Sequence, residues 1–302
     1  MFLVGSKRPF FLSLSMLAGA TMTVFVGPAV AQDVTTTQLT DSLYMMQGRG
    51  GNVVLSFGDD GAVMIDDDYP NMVTAYQSAV DEVMGEDFSA PQYVINTHWH
   101  QDHTGGNSYW AGEGAKVIAH NNVRKRMKEG LDNKALGVVF PPSPEEALPV
   151  MTFDSQFSLY ANNEAIVVEH FSAGHTDGDS MVFFTNDNVV HMGDHFFNGR
   201  FPFVDIESGG NVLSYTQNVA SVLARIDDAT QVVPGHGPLA GKAELEAYHT
   251  MLVATVAEVR AALDSGKSVD EIIEAGLDAK WADWGTGFIN EASWIRTIAG
   301  SL

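Results

Sequence analysis

The sequence predicts an α/β protein, an αββα sandwich of two mixed β-sheets packed face to face and flanked by helices. Three observations carry that prediction. Short β-rich runs separated by glycine turns open the chain, strand–helix units follow them, and the same order returns in the second half.

The first runs are Ser42–Met46, Asn52–Phe57 and Ala62–Ile65. Gly48-Arg49-Gly50-Gly51 and Gly58-Asp59-Asp60-Gly61 lie between them and read as turns. Asn71 to Met84 has helical apolar spacing, with Asn71 placed as a cap. Tyr93-Val94-Ile95 is a short buried strand that runs straight into Asn96-Thr97-His98. Lys116–Ala119 is a further strand, Asn121–Glu129 a basic helix, and Leu131–Pro149 an irregular connection. Strands resume at Ala165–Val168, Ser180–Phe184 and Asn188–His191. A helix over Val212–Ile226, the strand Gln231–Val233, a long helix over Lys242–Ser265 and a shorter one over Val269–Gly276 complete the pattern. Trp281, Trp284 and Trp294 read as docking residues for the last helices.

With 302 residues, 45% of them hydrophobic and 18% charged, the chain suffices for one packed domain, and no repeat or low-complexity block divides it. Residues 1–31 read as a segment apart. Lys7 and Arg8 precede an apolar run from Phe10 to Val26, and Ala29-Val30-Ala31 supplies the small residues of a cleavage site before Gln32. The expectation is a signal peptide over 1–31, a mature domain over 32–302, no membrane association after cleavage, and a periplasmic location. The absence of cysteine excludes disulfides and thiolate metal sites. A net charge of −22 makes nucleic acid and anionic membrane surfaces poor partners, whereas it favours bound cations.

The chemistry is concentrated in histidine. The chain has ten, and His98, His100 and His103 crowd with Asp102 into one loop after a buried strand. A core has no use for four such groups in six residues, and their spacing lets one loop serve two metal ions. Imidazole and carboxylate are what zinc accepts where thiolates are missing. Gly174-His175-Thr176, Gly193-Asp194 and Gly235-His236-Gly237 each follow another strand, so all can converge on one rim. Taken singly, each is an ordinary glycine turn. His120, His170, His191 and His249 read as surface or strand residues, and His195 as a neighbour of Asp194 that lines the pocket.

Together, His98-x-His100-x-Asp102-His103, Gly174-His175, Gly193-Asp194 and Gly235-His236 resemble the metallo-β-lactamase superfamily. The resemblance implies two Zn²⁺ per chain: His98, His100 and His175 on the first, Asp102, His103 and His236 on the second, with Asp194 reaching the second or bridging both. It implies a metal-held hydroxide attacking a carbonyl, with Asp102 orienting that water and shuttling its proton. Ile65-Asp66 resembles the family's early strand that ends in an aspartate supporting the metal loop.

The fold serves many substrates, so the substrate must be argued separately. Export and acidity point to a small molecule, with a β-lactam ring leading. The resemblance places the Gly48–Gly51 tip as a mobile flap, Asn211 as a substrate-facing amide and Arg200 as a partner for a substrate carboxylate. Trp99, Phe196, Phe197, Phe201 and Phe203 read either as an apolar wall beside the metals or as core. One departure favours other chemistry: true β-lactamases of this family carry cysteine or serine where this chain has Asp194. Lactones, esters and thioesters are therefore the alternative substrates on the same site. A non-catalytic metal-dependent binding protein is the alternative of another class, and redox chemistry at iron would use the same donors.

Overall fold

The computed structural model describes residues 1–2, 33–85, 90–134 and 137–302. The signal-segment reading thus falls outside the described residues, apart from the first two.

β1 (Thr35–Gln38), β2 (Leu43–Gln47), β3 (Val53–Gly58) and β4 (Gly61–Ile65) form an antiparallel meander. After α1 (Val73–Met84) the chain adds β5 (Tyr93–Ile95) parallel to β4. The short helices α2 (Gln101–Thr104) and α3 (Asn107–Gly112) lead to β6 (Lys116–His120), parallel to β5. α4 (Asn121–Glu129) precedes a small hairpin, β7 (Leu131–Asn133) and β8 (Val138–Phe140), and β9 (Met151–Phe153) then closes the first sheet beside β6. In the second sheet β10 (Gln156–Ala161), β11 (Glu164–His170), β12 (Ser180–Phe184) and β13 (Val189–His191) are antiparallel. α5 (Val212–Leu223) crosses over to β14 (Gln231–Val233), which pairs parallel with β13. α6 (Lys242–Asp264), α7 (Val269–Ala275) and α8 (Glu291–Ser301) follow.

Strand alternation builds the layers. Met45, Val63 and Ile65 of the first sheet meet Val168, Val182 and Phe184 of the second in one buried cluster between the sheets. Their neighbours Met46, Ala62 and Met64 point the other way, against Met72, Tyr76 and Val80 at α1. Met181, Phe183 and Val232 turn outward onto α5, α6 and α8 through Tyr215, Leu252 and Trp294. Each such aliphatic side chain contributes about 1.5–3 kcal/mol on full burial. Apolar residues on both faces of β4 and β12 identify central strands covered on each side. The αββα sandwich predicted from pattern is the observed fold.

Several local expectations are corrected. Asn71 does not cap α1, which begins after a 3-10 turn at Pro70–Met72. The connection 131–149 contains the β7–β8 hairpin, and β1, β9 and β10 lie in segments the pattern passed over. The chain also continues past α7 into α8, where Trp294 is fully buried and donates from Nε1 to Thr255 Oγ1 on α6 at 3.0 Å. Among the described residues, no helix is long and apolar enough to cross a membrane.

Parallel pairing sets the location of the site. β5 runs with β4, β14 runs with β13, and β11 runs the same way as β13 because β12 opposes both. Loops leaving the carboxyl ends of these strands therefore open on one rim, where ligand sites of open α/β sheets form.

Candidate metal centre

Seven donor residues meet at that rim in two groups: His98, His100, His175 and Asp194, and Asp102, His103 and His236. Within each group one ligand atom per residue lies within 4.8 Å of every other. Asp194 stands between them. Its Oδ2 is 3.7 Å from His98 Nε2 and 3.4 Å from His175 Nε2, while Oδ1 is 3.1 Å from His103 Nε2 and 3.4 Å from His236 Nε2. Close packing imposes glycine here: a Cβ on Gly235 would strike the Asp194 carboxylate, and one on Gly51 would strike the His103 ring.

The outer hydrogen bonds fix which nitrogen of each ring faces inward. His175 Nδ1 donates to the Phe203 carbonyl at 2.7 Å, leaving Nε2 bare. His100 Nε2 donates to Asp205 Oδ2 at 3.0 Å, leaving Nδ1 bare. His103 Nδ1 donates to Asp66 Oδ2 at 2.7 Å, and the Thr97 hydroxyl, itself donating to Asp66 Oδ2, accepts from His98 Nδ1 at 3.1 Å. Two bare nitrogens, His100 Nδ1 and His175 Nε2, then face each other at 2.8 Å. Two lone pairs at that separation repel unless a cation stands against both. His98 Nε2 and Asp194 Oδ1 are buried without hydrogen-bond partners, although buried polar groups are nearly always satisfied. These donors fit a bound metal ion.

The electrostatics agree. Burial lowers the pKa of His98 far below the usual imidazole value and that of His175 to about 4, so both are neutral, as ligands must be. Burial also opposes charge on His236, yet the Asp194 and Asp102 carboxylates outweigh it and push the pKa up to about 9. Positive charge is drawn into this second group. Burial raises Asp102, but His103 and His236 overcome it and hold the carboxyl at about 2.

Above the donors is a cavity of about 340 Å³, with His100, Asp102, Asp194 and His236 among its lining residues. Phe140, Phe203 and Phe288 form an apolar wall, and Arg49 and Arg200 also line the space. Phe197 and Phe201 reach the cavity while Phe196 is core, and Trp99 stands behind Phe140, their ring centroids 5.4 Å apart. Arg200 thus stands where a substrate contact is expected. Asn211 does not: its Oδ1 caps α5 by accepting from the Leu213 and Ser214 amides at 2.9 and 3.1 Å, and it is absent from the lining. His195 is also withdrawn, stacked on Tyr215 and held to Asn218 at 3.1 Å. The Gly48–Gly51 tip is tied to its surroundings. The Arg49 and Gly50 amides donate to the two oxygens of Asp68, and the Gly51 amide donates to the Asp102 carbonyl.

Asp205, Asp68, Phe140, Phe288 and Arg49 shape the site without having been singled out in the sequence. A lone acidic residue in the apolar stretch Phe203-Val204-Asp205 was the single trace of the first.

Comparison with known proteins agrees with this geometry. A family model described as the metallo-beta-lactamase superfamily matches residues 46–236. The chain is 22% identical over 245 residues to a metallo-beta-lactamase type 2 of Bacteroides fragilis, covering 78% of this chain and 92% of that one. A hydroxyacylglutathione hydrolase of Polaromonas is 32% identical over 145 residues, 47% of each chain. Among solved structures, a metallo-beta-lactamase from Pontibacter korlensis superposes with a TM-score of 0.61 at 16% identity, covering 73% of this chain and 99% of that one. This chain belongs to the metallo-beta-lactamase superfamily, as a hydrolase with a candidate metal centre at the rim of its sandwich.

Proposed function

We propose that the protein is an exported hydrolase that holds two zinc ions and opens a cyclic amide, with the β-lactam ring as its leading substrate. The observation that carries this reading is the division of seven donors about one carboxylate, each oxygen of Asp194 facing its own group. His98, His100 and His175 would hold one ion and Asp102, His103 and His236 the other, with Asp194 between them. Two such ions lower the pKa of bound water toward neutrality and polarise a carbonyl.

The chain's own residues do the rest. Asp102 remains ionised and borders the cavity, so it is placed to accept a hydrogen bond from an attacking water. The phenylalanine wall excludes bulk water on one side, which strengthens every charge interaction at the donors. Export is supported by the basic start, apolar run and small-residue site within residues 1–31. Similarity to a metallo-beta-lactamase over 92% of that relative's length supports the lactam substrate. A second reading, hydrolysis of lactones, esters or thioesters, is favoured by Asp194 itself and by the hydroxyacylglutathione hydrolase relative.

The test is turnover of a chromogenic cephalosporin by the zinc-loaded protein lacking residues 1–31, beside a panel of lactones and thioesters. Every activity is expected to vanish in the double variant His98→Ala, His100→Ala. Cephalosporin turnover lost in that variant supports the first reading, and turnover limited to lactones or thioesters supports the second. Silence across the panel overturns both.

A further inference from the structure

Asn198-Gly199 is the sole Asn-Gly step in the sequence, and it lies between the donor Asp194 and the cavity residue Arg200. Asparagine followed by glycine is the pairing most open to attack by the backbone on its own side chain, because glycine leaves its amide unshielded. The fold sets the pair in a tight turn. The Phe197 carbonyl accepts from the Arg200 amide at 3.3 Å, and Gly199, at the third position, has a φ of 77°. That is the pattern of a type II turn, whose third-position amide takes no part in the turn's hydrogen bond. Gly199 is exposed, its amide has no partner among the described residues, and nothing lies within 4 Å of where a Cβ would stand.

The same turn grips the loop that carries His236. The Asn198 amide donates to the His236 carbonyl at 2.9 Å, and Asn198 Nδ2 donates to the Pro238 carbonyl at 3.0 Å. Phe197 pairs with His236 in an isolated parallel bridge and stacks on its ring. The contact is so close that a Cβ on Gly237 would stand 2.8 Å from the Asn198 carbonyl oxygen. A backbone lengthened by one methylene at position 198 cannot keep these contacts in register. Replacing the carboxamide by a carboxylate sets an acceptor against the Pro238 carbonyl, so that hydrogen bond is lost as well.

We infer that Asn198-Gly199 is a site of spontaneous deamidation, and that the change loosens the loop holding His236. The Gly199 amide gives its proton to solvent, and its nitrogen attacks Asn198 Cγ. The Cγ–Nδ2 bond breaks and ammonia leaves, so the step does not reverse. Water then opens the five-membered ring. Attack at Cγ gives aspartate, and attack at the Asn198 carbonyl carbon gives isoaspartate, which carries the extra methylene in the backbone. The reactants are the chain and water alone, so the site is independent of any hydrolysis at the donors.

The test follows the purified, metal-loaded protein in warm neutral buffer, with the urea-unfolded chain as the reference clock. Peptide mapping across residues 198–199 should show the mass increase of an amide-to-acid exchange, and isoaspartyl methyltransferase should label the product. Asn198 is expected to convert in the native protein ahead of every other asparagine. Asn198→Gln, whose longer side chain closes such a ring poorly, should stay unmodified there. On ageing, hydrogen exchange at residues 235–237 should quicken. Chelator competition should show the binding step of Asp102, His103 and His236 weakened about tenfold. The aged Asn198→Gln protein should show neither drift, and Asn198→Asp, made directly, should reproduce part of both. A native Asn198 that remains an amide while the unfolded chain converts would overturn the inference. So would full conversion that leaves hydrogen exchange and metal affinity at their starting values.

Discussion

The two donor groups differ in how they are held. His98, His100, His175 and Asp194 have side chains no more than 7% exposed, whereas Asp102 and His236 are 20% and 18% exposed. Each ring of the first group is anchored from behind, by Thr97, by Asp205 or by the Phe203 carbonyl. In the second group His103 is anchored by Asp66, while His236 is steadied by stacking on Phe197 at 5.1 Å. The contrast teaches that one side of the centre is the more enclosed and the more tightly anchored, although both groups contribute to the cavity lining.

The largest expected effect comes from abolishing the distinction. Asp194→Ala removes the carboxylate both groups share, and activity should fall on the order of a thousandfold, as when one member of a buried charge cluster is deleted. Metal analysis of the purified variant should show both ions depleted; retention of either in full would break the shared-carboxylate picture.

A smaller effect separates the groups. Asp205→Asn should weaken metal affinity about tenfold to a hundredfold on the first side, and Asp66→Asn by a similar factor on the second, the range seen when an outer partner of a ligating histidine is changed. Competition with a colorimetric chelator, resolved into two binding steps, distinguishes the variants. If each variant weakened both steps equally, the groups would not be independent seats.

The smallest effect serves as a control and lies away from the donors. His120 and His170 stack face to face with centroids 3.7 Å apart, and burial is the main cause lowering both pKa values. Since the folded values lie below the ordinary 6.5, the unfolded chain takes up protons first as pH falls. Stability from this pair is therefore present above about pH 6.5 and drains away as pH drops from there toward the folded values. Thermal melts should show Tm falling by about 2–4 °C across that window, a slope reduced in His170→Gln. An unchanged slope in the variant would mean the pair is not its source.

How much of this was legible in the sequence depends on how local each signal is. The inward and outward alternation of β2 to β4 and the donors from His98 to His236 are written in short windows, and the fold and donor list follow from them. β10 carried a plain alternation, exposed at Gln156, Ser158 and Tyr160 and half-buried between, and was readable but passed over. α8 had its signals too: Asn290 as cap, then Trp294, Ile295 and Ile298 on one face. β7 and β8, three residues each, are too short for any periodicity to register. Asn211 was misplaced because a cap and a substrate contact look alike in one dimension, and only α5's first amides decide between them. Asp205 and Phe288 act across gaps of many residues, which no window spans.

The donors also carry a message about the order of folding. The first loop leaves β5 in one sheet, while His236 follows β14, the last strand of the other. Contacts so distant along the chain form late, after loop closure has been paid for in entropy. A nascent chain that has not yet added β14 lacks His236 and so has no complete second group of donors, whatever the ion's concentration. A cation held by the second group would thus favour the finished sandwich by mass action, since that group is complete only once the last strand is in place.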